Sequence, residues 1–139
     1  MSVVGRPRTF DPDAVSADVA DLVLARGYDA VGIDDITRAT GVGRGSLYRV
    51  FGSKAAIISL ALAGAVERDD ERLAELTALV LASSAALDPL IAPELARSLA
   101  VIGRAGDPAM HVGRALLERH RRLTPPRDEH RPTGTAQRG

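Results

Sequence analysis

The sequence contains no cysteine, so disulfide bonds and thiol chemistry are excluded. It also lacks an excess of either charge, because 18 basic and 18 acidic residues leave a formal net charge of zero. A protein that coats nucleic acid with uniform positive charge is therefore excluded, and any DNA binding must come from a local basic patch. The absence of cysteine fits a reducing cytoplasm, which is the location we expect.

Long apolar runs are also missing. The longest, at residues 57–66, is far shorter than the ~20 residues that span a bilayer. The first ten residues contain no apolar run of the kind found in a signal peptide. We therefore expect a soluble protein inside the cell that makes no contact with a membrane.

Helix-forming residues predominate, and no stretch alternates apolar and polar residues as a half-buried strand does. The predicted fold class is therefore all-α. Asp11 can accept from the first-turn amides of a first helix, and Gly27 suits its end. Two short helices are predicted at residues 33–40 and 44–50, separated by Gly41-Val42-Gly43.

A longer helix is expected to start at Lys54, after an N-cap at Ser53, and to run as far as Val80, straight or bent between residues 64 and 70. A break at 83–89 is followed by a helix over about 89–103, whose regular part can begin nearer Ala92 because of Pro93, and by a last helix at 109–123. We predict four segments: a flexible basic arm (1–10), a helix-turn-helix DNA-binding domain (11–53), a small helical regulatory and dimerisation domain (54–123), and a disordered tail (124–139).

Two short helices joined by a glycine-containing turn are typical of a helix-turn-helix. Val42 is predicted to pin the helices together, while Leu47 and Phe51, four residues apart, anchor the second of them. The residues left near its outward face are Arg44, Gly45, Ser46, Tyr48 and Arg49. This face predicts a helix that enters the major groove of double-stranded DNA.

The chemistry of this face suits DNA. Arginine can bind guanine with two hydrogen bonds, and serine can bond base edges or phosphates. Gly45 permits close approach of the backbone, and the Tyr48 hydroxyl can bond a phosphate. Lys54, at a helix N-terminus, is predicted to clamp a phosphate together with the nearby amides.

Four spaced motifs resemble the DNA-binding domain of the TetR (tetracycline-repressor-like) regulators over about residues 10–58. They are Gly27-Tyr28-Asp29-Ala30, Ile33-Asp34-Asp35-Ile36, the run from Gly41 to Tyr48, and Phe51-Gly52-Ser53-Lys54. The resemblance implies a homodimer that binds a near-palindromic operator and blocks transcription. It also implies a C-terminal helical domain that binds a small molecule, which would be apolar, and then releases the DNA.

By the family pattern, Tyr48 and Lys54 contact phosphates, and amides near residues 32–34 meet a phosphate at the helix start. The predicted DNA-binding set is Arg6, Arg8, Thr37, Arg44, Gly45, Ser46, Tyr48, Arg49 and Lys54. No cofactor and no metal are expected. The chain departs from the pattern at Gly32, which caps weakly, at Val50, and in a shorter C-terminal part.

Two alternative functions remain open beside the ligand-responsive repressor, and so does the role of one basic stretch. A shortened regulator could bind DNA without sensing a small molecule, or act through a protein partner, and an enclosed apolar cavity lined from residues 60–99 would argue against it. A small helical enzyme is a third reading, although no catalytic constellation is readable. The stretch Gly5-Arg6-Pro7-Arg8 is either an arm for the minor groove or a basic leader.

Three further features have simpler interpretations. The histidines His111, His120 and His130 are nine and ten residues apart, a spacing that does not suit a metal site. The charged run 67–75 is expected to face solvent or to form i,i+4 pairs. The arginines of residues 114–139 are expected on a solvated helix end that runs into the tail.

Overall fold

The structure is a computed structural model that describes residues 10–124 and 126. Every regular element in this part of the chain is helical, which confirms the all-α prediction. The helices are α1 (Pro12–Arg26), α2 (Ile33–Thr40), α3 (Arg44–Phe51), α4 (Lys54–Glu67), α5 (Leu73–Leu81), α6 (Ala92–Ile102) and α7 (Pro108–Leu123). Residues 1–9 of the predicted arm, which include Arg6 and Arg8, lie outside the described residues. Nearly all of the predicted tail does so as well.

The predicted caps of the first and fourth helices are present. Asp11 accepts a hydrogen bond from the Asp13 amide at 2.9 Å, and Gly27 ends α1 with φ of +79°. Ser53 accepts from the Ala56 amide at 3.2 Å and starts α4. Both helix starts therefore follow from single side chains that satisfy otherwise unpaired amides.

The expected long helix from Lys54 to Val80 is wrong in one respect, because the chain breaks completely between α4 and α5. Asp69 adopts a left-handed φ of +51°. The Asp70 carboxylate then accepts from the Arg72 amide at 2.9 Å and from the Arg72 guanidinium at 3.1 Å. Of the two expectations for the charged run 67–75, exposure to solvent holds for Glu67, Arg68, Asp69, Glu71 and Arg72, whereas this local turn and ion pairs to distant helices take the place of i,i+4 pairs. The predicted break at 83–89 contains a short 3₁₀ turn, Ser84–Leu87.

One apolar core runs without interruption from Val15 to Ile102. Helix α4 lies at its centre, since it packs along α1 on one side and against α6 on another. Helix α5 packs against both α6 and α7. The boundary predicted at residues 53–54 thus does not coincide with a gap in the core, and that division stays a prediction.

No single helix in the described part of the chain is long and apolar enough to cross a membrane. Helices α3 and α4 together have the required length and composition, but they meet at an angle of 75°. The apolar side chains of α4 are accounted for by the core, where Ile57, Ile58 and Leu62 are completely buried.

Candidate nucleic-acid interface

The turn between α2 and α3 is held by its own backbone and by one threonine. Gly41 adopts the left-handed conformation, with φ of +71°, which a residue with a Cβ rarely takes. The Thr40 hydroxyl donates to the Ile36 carbonyl at 2.7 Å and accepts from the Val42 amide at 3.2 Å. Val42 is 9% exposed and packs into the core, as its predicted role requires. The angle between the two helices is therefore fixed locally.

Two side chains hold α3 against the rest of the domain. Leu47 is completely buried, and Phe51 is half-buried against the core. The Phe51 ring lies 5.8 Å, centroid to centroid, from the ring of Phe10, at the point where the described chain begins. These are the two residues that the four-residue spacing predicts as anchors, so the opposite face of α3 is left to solvent.

The opposite face of α3 carries the residues that are predicted to contact DNA. Arg44, Gly45, Tyr48 and Arg49 are exposed and Ser46 is half-buried. The Arg44 guanidinium lies 5.9 Å from the centre of the Tyr48 ring and 3.6 Å from the Asp34 carboxylate. Arg49 donates to the Ser46 hydroxyl at 3.4 Å. Exposed ion pairs of this kind are weak, so Arg44 can exchange Asp34 for a base or a phosphate at little cost.

The Lys54 side chain lies closer to the protein interior than a lysine whose ammonium is fully available to a phosphate. Its ammonium donates to the Tyr28 carbonyl at 2.9 Å and lies 4.0 Å from the centre of the Tyr28 ring. Partial burial lowers the pKa of Lys54, against the nearby carboxylates Asp29 and Asp35, which raise it. Because an ammonium has three donors, the bond to Tyr28 leaves others for a phosphate. The predicted phosphate contact of Lys54 stays a prediction.

Thr37 is placed differently from the other predicted contacts. Its hydroxyl oxygen is buried and has no hydrogen-bond partner among the described residues. The neighbouring Thr40 makes the bonds that hold the turn, whereas Thr37 faces inward from α2. A contact between the Thr37 hydroxyl and DNA therefore requires a change of rotamer, which sequence spacing alone does not reveal.

The weak cap predicted at Gly32 is offset by a carboxylate three residues later. Asp35 accepts from the Gly32 amide and from the Arg26 guanidinium, both at 2.9 Å. The backbone hydrogen bond from Gly32 is the largest cause of the lowered pKa of Asp35, and Arg26 adds to it. Asp35 thus supplies half of a capping box and ties α2 to the end of α1. Sequence reasoning placed Asp35 in the first turn but did not find this bridge.

A cleft of about 540 Å³ lies beside this interface and outside the helical body, by which we mean residues 54–123. Phe10, Val15 and Val42 contribute its apolar lining, with Ser46 and Arg49 of α3 also lining it. In the body, by contrast, Leu62, Leu76 and Ile91 are completely buried in packed core. A cleft of about 470 Å³ does lie between α4 and α6, but Glu67, Asp69, Arg97 and Arg104 line much of it, so it differs from the enclosed apolar cavity that a ligand-responsive regulator would have within residues 60–99.

The described residues include no group of three or more histidine, aspartate or glutamate side chains that could hold a metal ion. His111 and His120 lie on α7, and His130 lies outside the described residues. The basic end of α7 differs from the expected solvated helix end. Arg119 is only 14% exposed, because it contacts α1 and α5.

In a comparison with protein families, residues 19–61 match the bacterial regulatory proteins of the tetR family. This segment runs from the middle of α1, through the helix-turn-helix, into α4. It therefore contains the exposed face of α3 and the residues that anchor it.

Two curated relatives match the same end of the chain. The HTH-type transcriptional repressor BdcR of Escherichia coli (strain K12) is 40% identical over 60 residues, which are 43% of this chain and 30% of the relative. MftR of Mycobacterium tuberculosis, named for transcriptional regulation of mycofactocin biosynthesis, is 43% identical over 56 residues, which are 40% of this chain and 28% of that protein. The match thus spans about three-tenths of either relative. No solved structure matches the chain.

Proposed function

We propose that this chain, whose residues 19–61 match the tetR family of bacterial regulatory proteins, is a DNA-binding transcriptional regulator that acts as a repressor. The observation that carries the proposal is the exposed face of α3. Arg44, Tyr48 and Arg49 project from it, while Leu47 on the opposite face is completely buried. A short helix anchored in this way can enter the major groove without losing its place in the fold.

In this proposal the contacts divide by chemistry. Arg44, Ser46 and Arg49 read base edges, and Gly45 lets the backbone approach. Tyr48 and Lys54 contact phosphates and so position the helix-turn-helix domain, residues 11–53, which we call the head. Thr37 joins them after a change of rotamer. Arg6 and Arg8, outside the described residues, reach the adjacent minor groove. The protein acts in the cytoplasm, where its DNA target lies.

We further propose that the protein acts as a homodimer through the outer face of α7. Met110 is 62% exposed and Leu117 is 59% exposed on this face, and Gly113 lies between them with open space above it. In an antiparallel pair of α7 helices centred near Gly113, Met110 of each copy faces Leu117 of the other. Such a dimer would place two heads on half-sites about one helical turn apart, roughly 34 Å.

The packed body favours one version of this function over another. A regulator that responds to a small apolar effector needs an enclosed pocket for it. In the body, Leu62, Leu76 and Ile91 are completely buried, and the cleft of about 470 Å³ between α4 and α6 has charged residues along much of its lining. We therefore propose repression without a small-molecule effector, in preference to the ligand-responsive form.

Salt-dependent DNA binding tests the proposal. The double variant Tyr48→Ala with Lys54→Ala should bind all duplexes more weakly, and the slope of log affinity against log salt should fall by about 0.9 for the lost cation. Arg44→Ala should instead lower the preference between sequences, by about 1–3 kcal/mol at one base position. Arg104→Ala, exposed after α6, is the matched control outside the head. Unchanged DNA binding in both head variants would contradict the proposal.

A further inference from the structure

Arg119 of α7 reaches across the body to the end of α1. Its guanidinium donates to the Leu24 carbonyl and, at 3.4 Å, to the Ala25 carbonyl. It also donates to a carboxylate oxygen of Glu75 at 3.0 Å. Arg122, one turn further along α7, donates to both oxygens of the same carboxylate at 2.8 and 2.9 Å. Arg119 and Glu75 are only 14% and 15% exposed, whereas Arg122 is 57% exposed, so the centre of this cluster is shielded from solvent and its outer arginine is not.

The contact has a clear physical basis in the end of α1. The last four carbonyls of a helix have no partner within it, and they carry the negative end of the helix dipole. Leu24 and Ala25 belong to this last turn. Arg119 therefore supplies a positive charge and hydrogen-bond donors to the unpaired carbonyls at the end of α1. It lies 95 residues away from Leu24 in the sequence. Glu75 keeps the guanidinium oriented, because it is fixed in turn by Arg122.

The end of α1 leads directly to the helix-turn-helix. Arg26, next to Ala25, donates to Asp35 of α2, and Asp35 also holds the Gly32 amide. A continuous line of polar contacts thus runs from α7, through the last turn of α1, to the start of α2. Arg119 is the residue that connects the last turn of α1 to α5 and α7.

Several other bonds join the same region to the body, among them the bond from Lys54 of α4 to the Tyr28 carbonyl. Arg72, at the break before α5, donates to Asp21 of α1 at 2.8 Å. The Ser84 hydroxyl donates to Asp29, in the loop after α1, at 2.5 Å. Both pairs are exposed, whereas the Arg119 cluster is partly buried and screened less by salt. Of these links, the Arg119 cluster is the one that involves α7.

We propose that Arg119, oriented by Glu75, is a positioning residue for DNA binding: it fixes the helix-turn-helix relative to α7. This inference rests on the proposed function, in which α7 also carries the dimer face. Because the same helix would pair with its mate and cap α1, the two heads of a dimer are held at one separation. Without the Arg119 link, each head turns more freely about the α1–α4 contact.

The first test is the tolerance to half-site spacing. The probe is a duplex selected by the wild-type protein from a randomised pool, with one or two base pairs then inserted at its centre. We expect the insertions to weaken wild-type binding at least about tenfold, because each moves the half-sites out of alignment. Arg119→Ala should lower that penalty to less than about threefold, and Arg119→Lys, which keeps the charge, should restore part of it.

A second readout does not depend on DNA. The chain has no cysteine, so Ala39→Cys on α2 and His120→Cys on α7 allow two spin labels to be placed at exposed positions. Labelled protein diluted with unlabelled protein reports the distance within one protomer. Arg119→Ala should broaden that distance distribution, while Arg121→Ala, an exposed arginine of the same helix, should leave it narrow. If Arg119→Ala does not fold, Glu75→Gln removes the orienting charge and should broaden the distribution in the same way.

The outcomes separate the two proposals. A wild-type protein that selects no DNA sequence would contradict the proposed function, and the label distances would still decide whether Arg119 fixes the head. A narrow distance distribution in both Arg119→Ala and Glu75→Gln overturns this inference. An undiminished spacing penalty in Arg119→Ala overturns it as well, even when DNA binding itself is established.

Discussion

Ser16 of α1 and Gly64 of α4 lie so close together that a Cβ on residue 64 would come within 1.9 Å of the Ser16 hydroxyl oxygen. That hydroxyl is already committed, since it donates to the Leu60 carbonyl at 3.1 Å and accepts from Arg68 at 3.2 Å. The absence of a side chain at Gly64 therefore allows α1 and α4 to pack closely. Through this contact α4 sets the position of the first helix of the head.

Gly64→Ala should destabilise the protein by about 1–3 kcal/mol, because the added methyl group displaces Ser16 or forces the helices apart. Thermal or denaturant unfolding measures the change. Gly45→Ala is the matched control, since an added Cβ there meets nothing within 4 Å. It should leave stability unchanged or raise it by up to about 1 kcal/mol, through better helix propensity. Equal stability of the two variants would contradict the close contact.

The hydrogen bonds around Asp70 lead us to expect that the protein loses stability in acid. Hydrogen bonds from the Arg72 side chain, with a further one from the Arg72 amide, lower the pKa of Asp70 below its ordinary value of 3.8. A group with a lowered folded-state pKa stabilises the protein above its unfolded value, and this stability is lost as the pH falls through the folded-state pKa. The free energy of unfolding should therefore decrease between about pH 5 and pH 2.

Asp70→Asn tests this assignment. The variant should be less stable than the wild type at neutral pH, and the difference should shrink as the pH falls from about 5 to about 2, because the wild-type carboxylate then takes up its proton. Denaturant unfolding at several pH values gives both quantities. Glu71→Gln, exposed next to it, controls for the loss of one negative charge. A constant difference across this range would exclude Asp70 as the titrating group.

Leu117→Glu should convert a dimer to a monomer, because it places two carboxylates against the apolar face of the opposing α7. Light scattering or sedimentation gives the mass. Leu87→Glu makes the same change at a position that is 92% exposed outside α7, and its mass should equal that of the wild type. A dimer that persists in Leu117→Glu would show that subunits associate through another surface.

Lys54→Met separates two roles of one side chain. Loss of the bond to the Tyr28 carbonyl and of the contact with its ring should cost about 1 kcal/mol of stability. Loss of a phosphate contact should also lower the salt slope of DNA binding by about 0.9. Tyr28→Leu, which removes the ring but keeps the carbonyl, should reduce stability with no change of slope. A wild-type slope in Lys54→Met would assign Lys54 to structure alone.

The helix-turn-helix could be predicted from sequence because its determinants are local. Gly41 permits the left-handed turn, and the four-residue spacing of Leu47 and Phe51 identifies the buried face of α3. The complete break between α4 and α5 could not be predicted, since it depends on the left-handed conformation of Asp69 and on the pairing of Arg72 with the distant Asp21.

The same distinction explains why the surroundings of Arg119 and of Thr37 could not be predicted from sequence. Arg119 resembles a solvated residue at the end of a basic helix, but its partners lie on α1 and α5, far away in sequence. Thr37 lies in the right helix, but its hydroxyl faces inward. Spacing along a helix identifies a face, whereas tertiary packing decides which members of that face reach solvent.

Selection from a randomised duplex pool, followed by sequencing, tests the central claim most directly: that α3 reads DNA sequence. The wild-type protein should enrich one motif made of two related half-sites in inverted orientation. Arg44→Ala should lose the preference at one symmetrical pair of positions and keep the rest. A wild-type pool without an enriched motif would contradict the claim, as would an Arg44→Ala pool identical to that of the wild type.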